Sequence, residues 1–337
     1  MRAIVLVGGF GTRLRPLTDT VPKSMLPVAH VPLIVRLIGQ LERGGVDAVT
    51  LALGFLPEPF VDAFPDGRCG GVALDYAIES EPLDTAGAIR FAARHAGIDE
   101  TFVVANGDVL TDLSIADLVV AHRAAGAEAT IHLIPVEDPS AFGVVELDDA
   151  GRILRFVEKP AAGTEPSNLI NAGTYVLEPS VLARIPSDRP VSIERETFPL
   201  IAAGGRFHSW ATTDYWIDAG RPQLFLEANL DLINGRRDPA AWGESCEAVA
   251  AGATVHADAS VVGSIIGDGS TVDRGATITA SVLLPGAVIG ADTVVDGSVV
   301  AGTVGRGVRL VRAVVGADAI IPDGEHHTDA RIPEPTG

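Results

Sequence analysis

Ala3-Ile4-Val5-Leu6-Val7-Gly8-Gly9-Phe10-Gly11-Thr12-Arg13-Leu14-Arg15-Pro16-Leu17-Thr18, with Pro22-Lys23 just beyond, is the stretch whose reading decides the fold. Ala3–Val7 holds no polar residue, as a strand buried on both faces of a parallel sheet requires. Gly8, Gly9 and Gly11 follow at its carboxyl end, where open α/β sheets bind their ligands. Glycines there let backbone N–H groups approach phosphate oxygens, and Arg13 and Lys23 supply charge. The run is not a P-loop, because Gly-Lys-Ser/Thr is missing. It is not a dinucleotide fingerprint either, since Gly9-x-Gly11 continues to Leu14 and not to glycine. The plainer alternative is an ordinary tight turn.

Outward from this run, apolar stretches alternate with helical patterns up to about residue 235, the order of an α/β domain with a mainly parallel sheet. A helix is expected over Pro32–Arg43, ended by Gly44-Gly45, and another over Thr85–His95. Val49–Leu53, Ala73–Ile78 and Thr101–Ala105 read as further strands. Ala129–Pro135, Gly143–Leu147, Ile153–Val157 and Ala172–Leu177 suggest an inserted sheet covering one side of a cleft. Pro222–Ile233 reads as the closing helix.

Residues 236–251, with Arg236-Arg237-Asp238-Pro239, are expected to be a linker between a domain at 1–235 and a second at 252–325. In the second, apolar residues recur at Ile266, Val272 and Ile278, then at Leu283, Ile289 and Val295, six apart except for one step of five. A six-residue period with Gly, Ser, Thr and Asp between is the pattern of a parallel β-helix. Residues 326–337 are expected to form a loose tail.

The 337 residues carry 44 acidic and 25 basic side chains, a net charge of −19. That field argues against nucleic acid and anionic membranes as partners, although a local cluster of cations can still hold a small polyanion. Cys69 and Cys246 form no ligand spacing and read as reduced thiols of a cytoplasmic protein, and neither a signal peptide nor a membrane span is expected. Only two of the basic residues are lysines, Lys23 and Lys159, and both sit beside proline. A lysine offers a compact point charge where arginine offers a wide planar fork, so both are candidate phosphate contacts.

The opening run resembles the signature of the sugar-1-phosphate nucleotidyltransferases, the nucleotide-sugar pyrophosphorylases. Glu81-Pro82-Leu83-Asp84-Thr85-Ala86-Gly87, Asn106-Gly107-Asp108, Phe142-Gly143-Val144-Val145, Phe156-Val157-Glu158-Lys159-Pro160, Asn171-Ala172-Gly173 and Trp216-Ile217-Asp218-Ala219-Gly220 agree with it in order. Pro139–Gly143 and Val191–Pro199 are most similar to the mannose-1-phosphate guanylyltransferases. Ser24 stands where proline often follows the lysine, and Asp84 where glycine is usual. The resemblance implies a Rossmann-like nucleotidyltransferase domain followed by a left-handed parallel β-helix of hexapeptide repeats.

It also implies roles. Arg13, Lys23 and Asp108 would be catalytic. Leu6, Gly8, Gly9, Gly11, Thr12, Glu79, Asp84 and Gly107 would join Arg13 and Lys23 around the nucleotide, with Glu79 reading guanine. Gly143, Glu158, Lys159 and Asn171 would hold the sugar phosphate, and Asp108 and Asp218 would ligate Mg²⁺. From spacing alone, each aspartate is equally a helix cap or turn residue. The implied reaction joins a sugar 1-phosphate (mannose 1-phosphate first) to a nucleoside triphosphate (GTP first), releasing pyrophosphate, in a homo-oligomer. Thymidylyl or uridylyl transfer to glucose 1-phosphate or another sugar 1-phosphate, a non-catalytic regulatory subunit and a hexapeptide acyltransferase based on His256 are the alternatives.

Overall fold

A computed structural model describes residues 1–54, 57–237 and 247–335. The chain divides into two compact units, Met1–Gly9 with Leu37–Trp216, and Phe10–Arg36 with Ile217–Gly337.

The first unit is built on a ten-stranded sheet. Its strands are β1 (Arg2–Leu6), β2 (Ala48–Leu53), β3 (Arg68–Cys69), β4 (Val72–Ile78), β5 (Phe102–Asn106), β6 (Ala129–Pro135), β7 (Gly143–Leu147), β8 (Ile153–Glu158), β9 (Leu169–Leu177) and β10 (Phe207–Ala211). The order β8-β7-β9-β5-β1-β2-β4-β3 places β1 at the centre, parallel to β5 and β2. Ala3, Ile4 and Val5 are fully buried, as their unbroken apolar run requires. Helices α1 (Leu33–Arg43), α2 (Glu58–Ala63), α3 (Asp84–His95), α4 (Ile115–Ala125) and α5 (Phe198–Ala203) connect the strands. Ser114 caps α4 by accepting from the Asp117 N–H, and Gly126 ends it at a φ of 55°.

The expected inserted sheet is not separate. β9 pairs antiparallel with β5 along Thr174–Leu177 and with β7 at Ile170, so β7 and β8 continue the central sheet. Six consecutive residues of β9, Ala172–Leu177, are buried, which fits a strand with partners on both edges. Its register against β6 shifts between Asn171 and Tyr175, around Gly173 at a φ of 79°. That kink brings Asn171 and Tyr175 within one hydrogen bond of each other.

The second unit joins the Phe10–Arg36 segment to α6 (Pro222–Ile233) and the C-terminal repeats. Asn229, fully buried on α6, accepts from the Ala29 N–H at 2.9 Å, and Arg36 donates to the Val28 carbonyl. The repeats form three five-stranded parallel sheets. Ile266, Leu283, Val300, Val315 and Ile332 stack in one inward column, spaced by seventeen, seventeen, fifteen and seventeen residues. Three hexapeptides would give eighteen. The step of five at Leu283 is therefore a shortened corner that recurs in the coils before and after it, taken by Gly263, Ala280, Gly297, Arg312 and Asp329 at φ values of 45–56°. A serine ladder holds it: Ser264, Ser281 and Ser298 are buried, and each hydroxyl donates to the carbonyl two residues back. Each also accepts the N–H of the next coil, from Ser281, Ser298 and Ala313.

The expected loose tail is corrected over residues 326–332, while residues 336–337 lie outside the described residues. His326–Thr328 and Arg331–Ile332 pair with Arg309–Val311 and Val314–Val315 and complete the last coil, because Ile332 continues the inward column. Of the expected linker, residues 238–246 lie outside the described residues, as does Cys246. Val249 already bridges to Ile266. Cys69 is buried with its thiol free. Among the described residues no helix is long and apolar enough to cross a membrane.

Candidate active site

In the first unit the expected residues gather at the carboxyl end of β1. A Cβ on Gly107 would lie 2.4 Å from Val7 Cγ1, and its N–H donates to the Leu6 carbonyl at 2.9 Å, so only glycine carries the chain past β5 here. That turn fixes half-buried Asp108 beside the end of β1. Gly8 and Gly54 approach each other closely, since a Cβ on Gly8 would lie 3.3 Å from the Gly54 nitrogen. Gly9 has no such constraint, and a Cβ there would meet nothing within 4 Å.

Adjacent residues in a strand point to opposite faces, yet Lys159 Nζ lies 3.0 Å from Glu158 Oε1. The strand ends at Glu158, and Lys159 takes a φ of 48° with its N–H held by the Phe142 carbonyl at 2.9 Å. That left-handed turn swings the ammonium back over the carboxylate. Gly143 faces Glu158 in the sheet, and a Cβ on it would lie 2.3 Å from Phe156 Cζ and 3.0 Å from Glu158 Oε2. Glycine therefore makes room for the Phe156 ring and the Glu158 carboxylate.

Asn171 is gripped at both ends, accepting from the Gly173 N–H at 2.9 Å and donating to the Tyr175 hydroxyl at 3.0 Å. Gly173 itself lies against Asn106, whose Nδ2 would be 2.7 Å from a Cβ. Tyr175 is 1% exposed. Burial pushes its phenol up, the charges of Glu194, Glu158 and Asp108 push it further, and the Asn171 hydrogen bond opposes the rise, so the hydroxyl stays neutral.

Just beyond the carboxyl end of β4 in the same unit, half-buried Glu79 accepts from the Leu83 N–H at 3.1 Å. Burial raises its carboxyl, and that N–H opposes the rise. Asp84 opens α3 at a φ of 59°, a conformation that favours glycine and that aspartate tolerates better than most residues. Aspartate thus takes up the left-handed backbone that a glycine at this position would favour. Thr85 next to it donates to Glu194 Oε2 at 2.7 Å and accepts from the Ile193 N–H.

The second unit brings three other expected residues together. Gly11, at a φ of 61°, packs on Thr18, whose hydroxyl donates to the Gly11 carbonyl at 2.8 Å. Exposed Thr12 begins the single turn that carries Arg13. Arg13 Nη2 lies 3.9 Å from Asp218 Oδ2, with the carboxylate four-fifths shielded. Asp218 Oδ1 accepts from the Gly220 N–H at 2.9 Å. A Cβ on Gly220 would lie 2.7 Å from Asp218 Oδ1, 3.0 Å from Arg13 Nη2 and 3.1 Å from Lys23 Nζ. Two cations and a carboxylate therefore meet over one glycine.

Asp108 and Asp218 fall in different units, and no group of three or more His, Cys, Asp or Glu side chains suited to a metal occurs among the described residues. The available donors are carboxylate oxygens, hard ligands that suit Mg²⁺, which keeps several waters and shares phosphate oxygens. Sequence reading missed Tyr175, Glu194 and Gly220. Glu194 and Gly220 sit inside segments that carry the family resemblance. Tyr175 had no signal beyond its strand. His256 accepts from the Asp258 N–H in its own turn and so serves a corner of the repeats.

Residues 2–235 match the nucleotidyl transferase family, and residues 253–327 match the GlmU-like C-terminal hexapeptide family. A mannose-1-phosphate guanylyltransferase of Mycobacterium tuberculosis is 40% identical over 275 residues, covering 80% of this chain and 76% of its own. A mannose-1-phosphate guanyltransferase of Hypocrea jecorina is 43% identical over 67% of this chain, which spans 62% of that relative's length. Among solved structures, HddC of Yersinia pseudotuberculosis complexed with GMP-PN is 28% identical with a TM-score of 0.58, covering 68% of this chain and 97% of its own. A Bacillus anthracis protein solved with sucrose, described as a glucose-1-phosphate thymidylyltransferase, is 25% identical with a TM-score of 0.63, covering 68% and 94%.

Proposed function

The chain belongs to the nucleotidyl transferase family, and on that premise we propose that it transfers the guanylyl group of GTP to mannose 1-phosphate, giving GDP-mannose and pyrophosphate. The observation that carries the reading is the meeting of Arg13, Lys23 and Asp218 over Gly220, with Glu158 and Lys159 paired in the other unit.

A phosphate monoester is largely dianionic at neutral pH, with its second pKa at about 6, so the attacking oxygen needs no general base. Repulsion between two polyanions is what opposes reaction. Arg13 and Lys23 would neutralise the triphosphate, and Lys159 the sugar phosphate, leaving attack on the α-phosphorus to be set by alignment. Glu158 and Asn171 would accept from and donate to sugar hydroxyls, with Tyr175 holding Asn171 in place. Gly8, Gly9, Gly11, Thr12 and Gly107 would give the triphosphate and nucleoside a close backbone approach, with Leu6 and the Asp84 backbone against the base. Asp108 and Asp218 would hold Mg²⁺, which supplies charge neutralisation at the phosphates.

Assembly of like chains through the repeats belongs to the same reading. The outward column Thr271, Val288, Thr303, Ile320 leaves Ile320 77% exposed. Light scattering on the purified chain reads the assembly.

The test of function is pyrophosphate release over a grid of nucleoside triphosphates and sugar 1-phosphates, with and without a chelator. GTP with mannose 1-phosphate should stand highest and require Mg²⁺. A larger specificity constant for dTTP or UTP with glucose 1-phosphate would replace the assignment, and no turnover with any pair would favour a regulatory subunit.

A further inference from the structure

One cleft inside the second unit shares only Arg13 with the proposed reaction. It has a volume of about 830 Å³ and lies among α6, the Arg13 turn and the shortened corners of the repeats. Arg13, Arg221, Arg312 and Arg331 line it, against a single carboxylate, Asp329. In a chain with a net charge of −19, four guanidinium groups facing one carboxylate is a strong local reversal of sign. The corner column explains the hollow. Ala280 and Gly297 are small where Arg312 and Asp329 stand in the next coils, so the wall recedes over the first two and becomes charged over the last two.

The arginines are not consumed in holding the fold. Arg312 pairs with Asp329 at 2.6 and 2.7 Å, but both side chains are more than half exposed, and such pairs contribute little stability. Arg331 donates one N–H to the Arg15 carbonyl at 3.1 Å, which orients the fork and leaves most of its donors for another acceptor. Arg221 precedes α6, whose first residues Pro222 and Gln223 also reach the cleft. Leu226 and Leu230 give the opposite wall an apolar surface.

We infer that this cleft binds a small, multiply phosphorylated metabolite, its phosphates on the arginines and its carbon skeleton against Leu226 and Leu230. The volume suits a molecule of nucleotide or sugar-bisphosphate size. Four guanidinium groups against Asp329, with Asp218 beside Arg13, leave roughly two uncompensated positive charges, which suits phosphate monoesters that each carry about −1.5 to −2 at neutral pH. Arg13 also connects the cleft to Asp218 and Gly220. An occupant that recruits Arg13 draws on the guanidinium assigned to the triphosphate, so each ligand weakens the other by the same factor. This coupling rests on the proposed role of Arg13; binding in the cleft does not.

The experiment is calorimetric titration of the full chain with a hexose bisphosphate at low ionic strength, for wild type, Arg221→Gln, Arg331→Gln and Lys159→Ala. Circular dichroism and melting establish that each variant is folded. Saturable binding that survives Lys159→Ala, falls at least tenfold in both arginine variants and weakens with added NaCl supports the site. Binding that is lost in Lys159→Ala and kept in the arginine variants overturns it, because the probe then sits in the sugar-phosphate pocket. Absence of saturable heat up to about 10 mM overturns it as well. In kinetics, each variant referred to its own ligand-free turnover, the probe should raise the KM for GTP in wild type and not in Arg331→Gln. A constant wild-type KM with the cleft filled overturns the coupling. If the chain transfers no nucleotide at all, the titration still decides the cleft.

Discussion

Gly220 and Lys23 approach so closely that a Cβ on the glycine would lie 3.1 Å from the ammonium nitrogen, with Arg13 Nη2 and Asp218 Oδ1 nearer still. Glycine stands there because the side chains of Asp218, Arg13 and Lys23 take the room that a methyl group would need. Arg13 and Lys23 end in flexible chains that can retreat, so the cost of a larger residue falls on their placement more than on the fold.

Gly220→Ala should therefore leave the melting temperature nearly unchanged while lowering kcat/KM for GTP by about a hundredfold, the scale of misplacing catalytic groups by an ångström. Gly143→Ala is the contrast: its methyl would meet the Phe156 ring at 2.3 Å inside the core and should destabilise the first unit measurably. Paired melting curves and kinetics check both. A Gly220→Ala enzyme with unchanged kinetics would mean the cluster is not the triphosphate site.

Lys159→Arg should raise the KM for sugar phosphate far more than that for GTP. The turn at a φ of 48° places a compact ammonium 3.0 Å from Glu158, and a planar fork on the same backbone cannot occupy that point. Initial rates at varied concentrations of each substrate separate the two constants, and equal rises would remove Lys159 from the sugar-phosphate pocket.

The opening strand with its glycine turn and the six-residue period were both legible, because each is a local pattern of apolar and small residues. The allocation of Phe10–Arg36 to the same unit as α6 was not. It depends on contacts such as Ala29 with Asn229, two hundred positions apart, which leave no periodic trace. The shortened corner showed as one irregular step, but only the stacked serines reveal why it repeats. At the candidate site, the residue types were readable and the meeting over Gly220 was not. Adjacency in sequence even pointed the wrong way for Glu158 and Lys159, until the left-handed turn reconciled them.

Ser281→Ala should destabilise the repeats by about 1–3 kcal/mol, because the buried hydroxyl both donates to the Thr279 carbonyl and accepts from the Ser298 N–H. Exposed Thr271→Ala on the same coil serves as the control. Urea unfolding followed by far-ultraviolet circular dichroism reads the difference, and equal midpoints for the two variants would deny the ladder its role.

His132 gives the first unit a pH dependence of known sign. It is fully buried, its Nε2 lies 2.9 Å from the Thr212 hydroxyl, and burial lowers its pKa from 6.5 to about 4. Between those values the unfolded chain binds the proton and the folded chain does not, so stability is present above pH 6.5 and is lost as pH falls toward 4. The loss amounts to roughly 3 kcal/mol over the window, at 1.36 kcal/mol per pH unit. His132→Gln should flatten that part of the curve relative to wild type. Unfolding free energies measured at pH 7 and pH 5 decide it, and parallel losses in both proteins would assign the dependence elsewhere.

The proposed preference for guanine is testable at Glu79. Guanine presents N1–H and the N2 amino group as neighbouring donors, which one ionised carboxylate can accept together. Uracil and thymine present a single N3–H between two carbonyls, which an amide suits better. The Leu83 N–H, 3.1 Å from Oε2, fixes the orientation of the carboxylate at the end of its strand. Burial raises its pKa, so the group is already partly desolvated before a base arrives, and a mismatched partner would leave it poorly satisfied. Glu79→Gln should then weaken use of GTP by about 1–3 kcal/mol, roughly ten- to two-hundredfold in kcat/KM, while UTP and dTTP gain relative to it. Specificity constants for the three triphosphates with mannose 1-phosphate measure the change. If their ratios stay constant, the carboxylate does not read the base, and the preference for guanine must come from the backbone around Leu6, Gly8 and Asp84.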